Sequence, residues 1–232
     1  MSHLLEIDSV QKSFGRNKVL TDVYLRCETG DIVGLLGRNG SGKSTFLKIL
    51  FGTLSAEQKF IRIDGQIFDR PYRTAGEICY LSQDPFLPQA MRLETVVRLY
   101  LSAEQAALFF DDPLLRHLHV SRVSRLSGGE QRYAEIKLLL HSDAKFILLD
   151  EPFNGIAPVL VESVKEMIRR HAPHKGIILT DHDYRNVVDV ANRHYLFADG
   201  GLKPIRDRED LVIRGYISKA TAAALKFEPN FV

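Results

Sequence analysis

At 232 residues, with 45% hydrophobic and 26% charged side chains, the chain has the composition of an ordinary soluble globular protein with material for one substantial core. A net charge of +2 gives no reason to expect nucleic acid or an anionic membrane surface as a partner, and no window approaches the roughly 20 apolar residues of a membrane span. The opening MSHLLEIDSV does not read as a secretion signal, and Cys27 and Cys79, without C-x-x-C spacing, read as buried free thiols, so a cytosolic location is expected.

Residues LLEIDSVQKSF and VLTDVYLRC alternate apolar and polar positions as half-buried strands do. Asp31 begins DIVGLLG, a continuous apolar strand running into a glycine-rich loop. KSTFLKILFG follows with helical spacing (Phe46, Ile49, Leu50), and Gly52 is placed for a C-cap. KFIRIDGQIF reads as a hairpin turning at Asp64-Gly65, and EICYLSQ as a further strand. From about residue 86 to 126 the strand signal disappears, and LETVVRLYL and AEQAALFF carry helical periods, which predicts a small helical insertion. A helix is expected from Ser127 to about His141, then the buried strand KFILLDEP, the helix VLVESVKEMIRRH, the strand GIILTDHD, a helix at about 184–192 and the strand HYLFADG. Strands alternating with helices predict a parallel α/β sheet. The last 30 or so residues read as an appended helical tail.

Three stretches carry chemistry. GRNGSGKST fits G-x-x-x-x-G-K-[ST] with a strand before it and a helix after it. The glycines among Gly37, Arg38, Asn39, Gly40, Ser41, Gly42, Lys43, Ser44 and Thr45 let backbone N–H groups form a nest for phosphate oxygens, to which the following helix adds its positive end. Lys43 would meet the β- and γ-phosphates of a nucleoside triphosphate, and the Ser44 hydroxyl would sit on Mg2+. FILLDEP puts Asp150 and Glu151 at the carboxyl end of a buried strand, where open α/β sheets bind ligands. Asp150 suits the Mg2+ shell through water, and Glu151 suits a general base for an attacking water. In LSGGEQRYAEI, Ser127 and Glu130 form a capping box. The pair Gly128-Gly129 is costly in a helix, which points to a group that must approach this backbone closely.

Together with the downstream TDHD, these motifs resemble the nucleotide-binding subunits of ABC transporters, over about residues 3–205 and in that family's order. The resemblance implies a P-loop NTPase (RecA-like) fold: a parallel sheet core, an antiparallel β subdomain and a small α-helical subdomain. The cassette would span 1–205, with core and β subdomain in 1–85 and 127–205, the helical subdomain in about 86–126 and the tail in 206–232. It also implies ATP as substrate with Mg2+, adenine stacked on Phe14, Gln83 reaching Mg2+ and water, and His182 at the γ-phosphate. Two cassettes, identical or paralogous, would sandwich ATP between the phosphate loop of one and Ser127, Gly128, Gly129 and Glu130 of the other. Integral membrane permease subunits would be the partners, and the chain would lie at the inner face of the cell membrane.

EPFNGIAPVLV and the segment after TDHD are similar to cassettes of branched-chain amino-acid importers and of lipopolysaccharide export. Three departures stand out: Ala157 where many cassettes carry an acid, Arg38 and Ser41 in the phosphate loop, and a short insertion of about 43 residues between Gln83 and Ser127. Soluble cassettes of iron–sulfur cluster assembly fit the same motifs. Chromosome-structuring ATPases do not, because the chain has no sustained heptads between its phosphate loop and Ser127.

Overall fold

The computed structural model describes residues 2–225 and 227; the end of the expected tail, residues 226 and 228–232, lies outside them. The alternating N-terminal segments form β1 (Leu4–Phe14) and β2 (Asn17–Glu28), antiparallel neighbours in a four-stranded sheet with β4 (Gln58–Ile63) and β5 (Gln66–Ile67), in the order β2-β1-β4-β5. Asp64 and Gly65, both at positive φ, make the expected hairpin turn between β4 and β5.

The uniformly apolar segments become a second sheet. β3 (Ile32–Leu36), β6 (Ile78–Leu81), β7 (Phe146–Asp150), β8 (Gly176–Thr180), β9 (Arg193–Ala198) and β10 (Gly201–Ile205) run in the order β10-β9-β3-β8-β7-β6. All neighbours are parallel except β10, which folds back on β9. Strand β10 is absent from the sequence reading, although its signal was the Asp199-Gly200 turn, whose two residues have φ of 52° and 75° as a tight hairpin requires. Pro204 fits there because β10 is an edge strand, where a missing N–H costs no ladder bond.

This sheet is buried on both faces. Val33, Leu35, Phe46, Leu47, Phe146, Leu148 and Ile178 join one apolar cluster with the four-stranded sheet and helix α1 (Lys43–Phe51). Leu36, Ile147, Leu149, Ile177 and Leu179 join the other, which holds α4 (Gly128–His141), α5 (Pro158–His171) and α6 (Tyr184–Val190). The predicted insertion contains α2 (Leu93–Tyr100) and α3 (Ala103–Phe110). It is fastened to α4 through Asp112, whose carboxylate accepts the Lys137 ammonium and the Tyr133 hydroxyl, each at 2.8 Å. The tail begins with α7 (Arg208–Ile213) and α8 (Lys219–Ala224), and Leu211 is fully buried in the larger cluster. Cys27 is buried as expected, but Cys79 is only half-buried because β6 is the other edge of its sheet. No helix among the described residues is long and apolar enough to cross a membrane.

Two histidines are carried in their neutral form. Burial, then the neighbouring His171, holds His141 down to about 4, and burial holds His194 down to about 4, from an ordinary 6.5. Between those values the unfolded chain binds protons that the folded chain does not, so stability falls as pH falls. The urea midpoint is expected to drop between pH 6.5 and 4; a midpoint that stays flat across that window would contradict the buried neutral histidines.

Candidate active site

The phosphate loop follows β3 and passes under the start of β2. Gly42 sits at φ +106°, where any other residue is strained, and a Cβ there would press at 3.0 Å on side-chain methyl groups of Val19 and Leu20. Gly42 is also the N-cap of α1 and offers no side-chain cap, which leaves the first-turn N–H groups to an incoming anion. The Lys43 ammonium folds back onto its own loop, donating to the carbonyls of Gly37 at 2.7 Å and Arg38 at 3.2 Å. Burial lowers its pKa, opposed by the negative field of Glu151, Asp150 and Asp181.

The second sheet delivers the acids to the same place. Asp150, fully buried at the end of β7, accepts the Ser44 hydroxyl on one carboxylate oxygen and the Tyr80 hydroxyl on the other, both at 2.9 Å. Gln83, just past β6, donates its amide to Glu151 Oε1 at 3.1 Å and more loosely to Ser44 Oγ at 3.4 Å. Ser44, Gln83, Asp150 and Glu151 therefore form one continuous polar chain at the head of α1. Its oxygen donors, a hydroxyl, a buried carboxylate and an amide, are the hard ligands Mg2+ selects.

Glu151 has φ +52°, a left-handed conformation that costs a non-glycine residue about 1–3 kcal/mol. Arg132, on α4, holds the backbone on either side of it. The guanidinium donates to the carbonyls of Asp150 at 2.7 Å, Glu151 at 3.0 Å and Ser82 at 2.6 Å. One turn along α4, the fully buried Glu135 accepts the N–H groups of Phe86 at 2.8 Å and Leu87 at 3.3 Å. The two side chains grip both ends of the loop that carries Gln83.

The remaining expected residues stand further apart. His182 is 56% exposed and touches the buried Asp181 at 3.2 Å rather than Glu151. Asp181 is itself fixed by the N–H groups of Phe153 and Asp183, and burial raises its pKa. Phe14 is 51% exposed at the tip of the β1–β2 hairpin, with the Lys12 ammonium over its ring, so it is not a core phenylalanine. Ser127 and Gly128 are exposed at the start of α4. The capping box is present: Ser127 Oγ accepts the Glu130 N–H at 3.3 Å, and Glu130 accepts the Ser127 N–H at 2.7 Å.

The glycine pair divides. A Cβ on Gly129 would lie 3.1 Å from the Gly155 carbonyl, so close packing within the chain already explains that residue. Gly128 faces open space and has no such internal reason. Arg132, Glu135, Tyr80 and Asp181 are absent from the sequence reading. The stretch 131–140 also carries Gln131 and Lys137, so nothing in the sequence singles out the first two.

A family model described as ABC transporter matches residues 20–154. The chain is 34% identical over 215 residues to a probable ABC transporter ATP-binding protein of Azorhizobium caulinodans, covering 87% of this chain and 76% of that one. It is 33% identical over 225 residues to the lipopolysaccharide export system ATP-binding protein LptB of Acidithiobacillus ferridurans, covering 91% and 93%. For LptB of Escherichia coli K12 the identity is 34% over 212 residues, covering 85% and 88%. A solved ATP-binding subunit of an ABC transporter shares the fold with a TM-score of 0.79 at 24% identity, covering 93% of this chain and 95% of that one. A nucleotide-free ATP-binding cassette does so at 0.74 and 22%, covering 96% and 98%.

Arg132→Lys keeps the charge but cannot reach three carbonyls. It is expected to lower folding stability by about 1–3 kcal/mol, the cost of leaving a buried carbonyl without its donor. Chemical denaturation measures this, and a change under 0.5 kcal/mol would sink the clamp.

Proposed function

This chain belongs to the ABC transporter family and is one of its ATP-binding cassettes, an ATPase; we propose that it dimerises and powers transport through a separate membrane-spanning partner. The observation that carries the reading is the polar chain Ser44–Asp150 and Gln83–Glu151 at the head of an uncapped α1; the exposed Gly128 at the start of α4, open on its Cβ side, supports the second half-site. The relatives named for lipopolysaccharide export support transport as the use of the ATP. The transported substrate is not read from them.

In this reading the cassette is residues 1–205, with a helical subdomain at about 86–126 facing the permease and a tail from 206. The chain works at the inner, cytoplasmic face of the membrane. Residues 37–45 cradle the phosphates, and Lys43 exchanges the carbonyls of Gly37 and Arg38 for the β- and γ-phosphate oxygens. Phe14 stacks on adenine from the hairpin tip. Ser44, Asp150 and Gln83 would hold Mg2+, which would supply charge neutralisation at the phosphates. Glu151 takes a proton from the attacking water as the bond between the γ-phosphorus and the bridging oxygen breaks, giving ADP and phosphate. His182, oriented by Asp181, contacts the γ-phosphate. Gly128, with the Ser127 hydroxyl, meets the γ-phosphate held by the other cassette, so both halves are needed for turnover. Ala157 leaves all of these groups in place.

Glu151→Gln is expected to abolish steady-state hydrolysis while ATP drives the chain into a dimer on size-exclusion chromatography; an unchanged rate would refute the general-base role. Ser127→Arg should leave ATP binding by the single chain within about twofold and remove turnover, because its partner is the nucleotide of the other subunit; a loss of ATP binding by the isolated chain instead would contradict a site in trans. Purification from native membranes in detergent should recover an integral membrane protein with this chain. Recovery with soluble scaffold proteins alone would move it to the cluster-assembly class.

A further inference from the structure

Helix α1 touches the acidic end of the sheet twice. At its first turn Ser44 donates to Asp150 Oδ1 at 2.9 Å. At its last residue Phe51 packs its ring on Tyr80, centroids 5.4 Å apart, and is backed at 5.4 Å by Tyr72. Seven residues, two turns, separate Ser44 from Phe51, so both lie on the same face of the helix. Tyr80 is level with Leu148 in the parallel β6–β7 ladder, and Leu148 and Asp150 share the face turned to α1. The Tyr80 side chain runs up that face and closes the ring by donating to Asp150 Oδ2 at 2.9 Å.

We propose that Tyr80 is a positioning residue for the cation that accompanies the nucleotide: its hydroxyl, clamped by Phe51, fixes Asp150 so that the opposite carboxylate oxygen stays aimed at Ser44. The proposal rests on the nucleotide reading above. A carboxylate turns easily about its last torsion, where no staggered well holds it. A buried aspartate with a single donor would therefore have no fixed direction, and the Ser44 hydroxyl cannot serve as that fixed donor once it turns to the cation. The tyrosine can, because its ring is wedged between the strand and α1 and its hydroxyl is already committed to Asp150.

The test uses the Glu151→Gln chain, in which hydrolysis is blocked, and reads ATP binding by thermal shift as Mg2+ is titrated, with a parallel measurement in EDTA. Adding Tyr80→Phe, which removes one oxygen and keeps the ring, is expected to raise the half-saturating Mg2+ concentration about tenfold, the scale of one hydrogen bond to a charged group. ATP affinity in EDTA should stay within twofold. Phe51→Leu, which keeps the hydroxyl but loosens the clamp, should shift the Mg2+ midpoint in the same direction by less. An unmoved Mg2+ midpoint in Tyr80→Phe overturns the proposal. So does an equal loss of affinity with and without Mg2+, which would mark the tyrosine as a packing residue. If Glu151→Gln alone binds no ATP in either condition, the nucleotide reading itself falls, before Tyr80 is tested.

Discussion

The site depends on one buried cation that is not part of its chemistry. Arg132 leaves the most buried helix of the molecule and spends its guanidinium on the carbonyls of Ser82, Asp150 and Glu151. Those carbonyls end two neighbouring parallel strands, β6 and β7, whose ladder stops at Leu81 and Leu149. Beyond the last β6–β7 ladder bond neither strand holds the other, although β7 still pairs with β8 at Asp150, and buried carbonyls on that side would otherwise be left unsatisfied. Arg132 supplies that missing partner, and Glu135 does the same for the N–H groups of Phe86 and Leu87. Because Ser127 is the N-cap of α4, the helix that holds these strand ends also sets the place of the turn proposed to face another cassette.

The same constraint explains how Glu151 persists in a left-handed conformation. Its N–H donates to Thr180 at 2.8 Å on one side and its carbonyl accepts Arg132 on the other, so the peptide planes are over-determined and the strain is held. The carboxylate is thereby turned to the Gln83 amide and the head of α1. Lys43 is balanced in a comparable way: burial disfavours its charge, three acids favour it, and two loop carbonyls hold the ammonium in reserve.

The elements of the fold were readable because each has a strong local signature. The apolar runs of β3, β7 and β8 are buried on both faces, and the alternation of β1 and β2 marks a sheet with one wet side. The phosphate loop and the Asp150-Glu151 pair were readable because their residue types are tied to position relative to a strand end. What escaped was contact between segments distant in sequence. Arg132 and Ser82 lie fifty residues apart, and nothing in either segment announces the other. Tyr80 looked like any aromatic in a strand. Gly129 has a reason of its own to be glycine, the Gly155 carbonyl 3.1 Å from where a Cβ would stand, and Gly128 has none, which separates two adjacent glycines that the sequence presents as a pair. Strand β10 was lost because Pro204 and Lys203 suppress the pattern of a strand, as edge strands commonly do.

The capping box at Ser127 has a consequence for assembly. Because Ser127 and Glu130 satisfy each other's backbone N–H groups, the first turn of α4 is complete within a single chain. If the proposed partner cassette docks there, it would have no unfolded turn to order, and the entropy lost would be that of rigid-body freedom and a few side chains. In the proposed dimer, which would open after each turnover, such a half-site would have to survive alone, and here the start of α4 is kept in shape within one chain by a serine and a glutamate three residues apart.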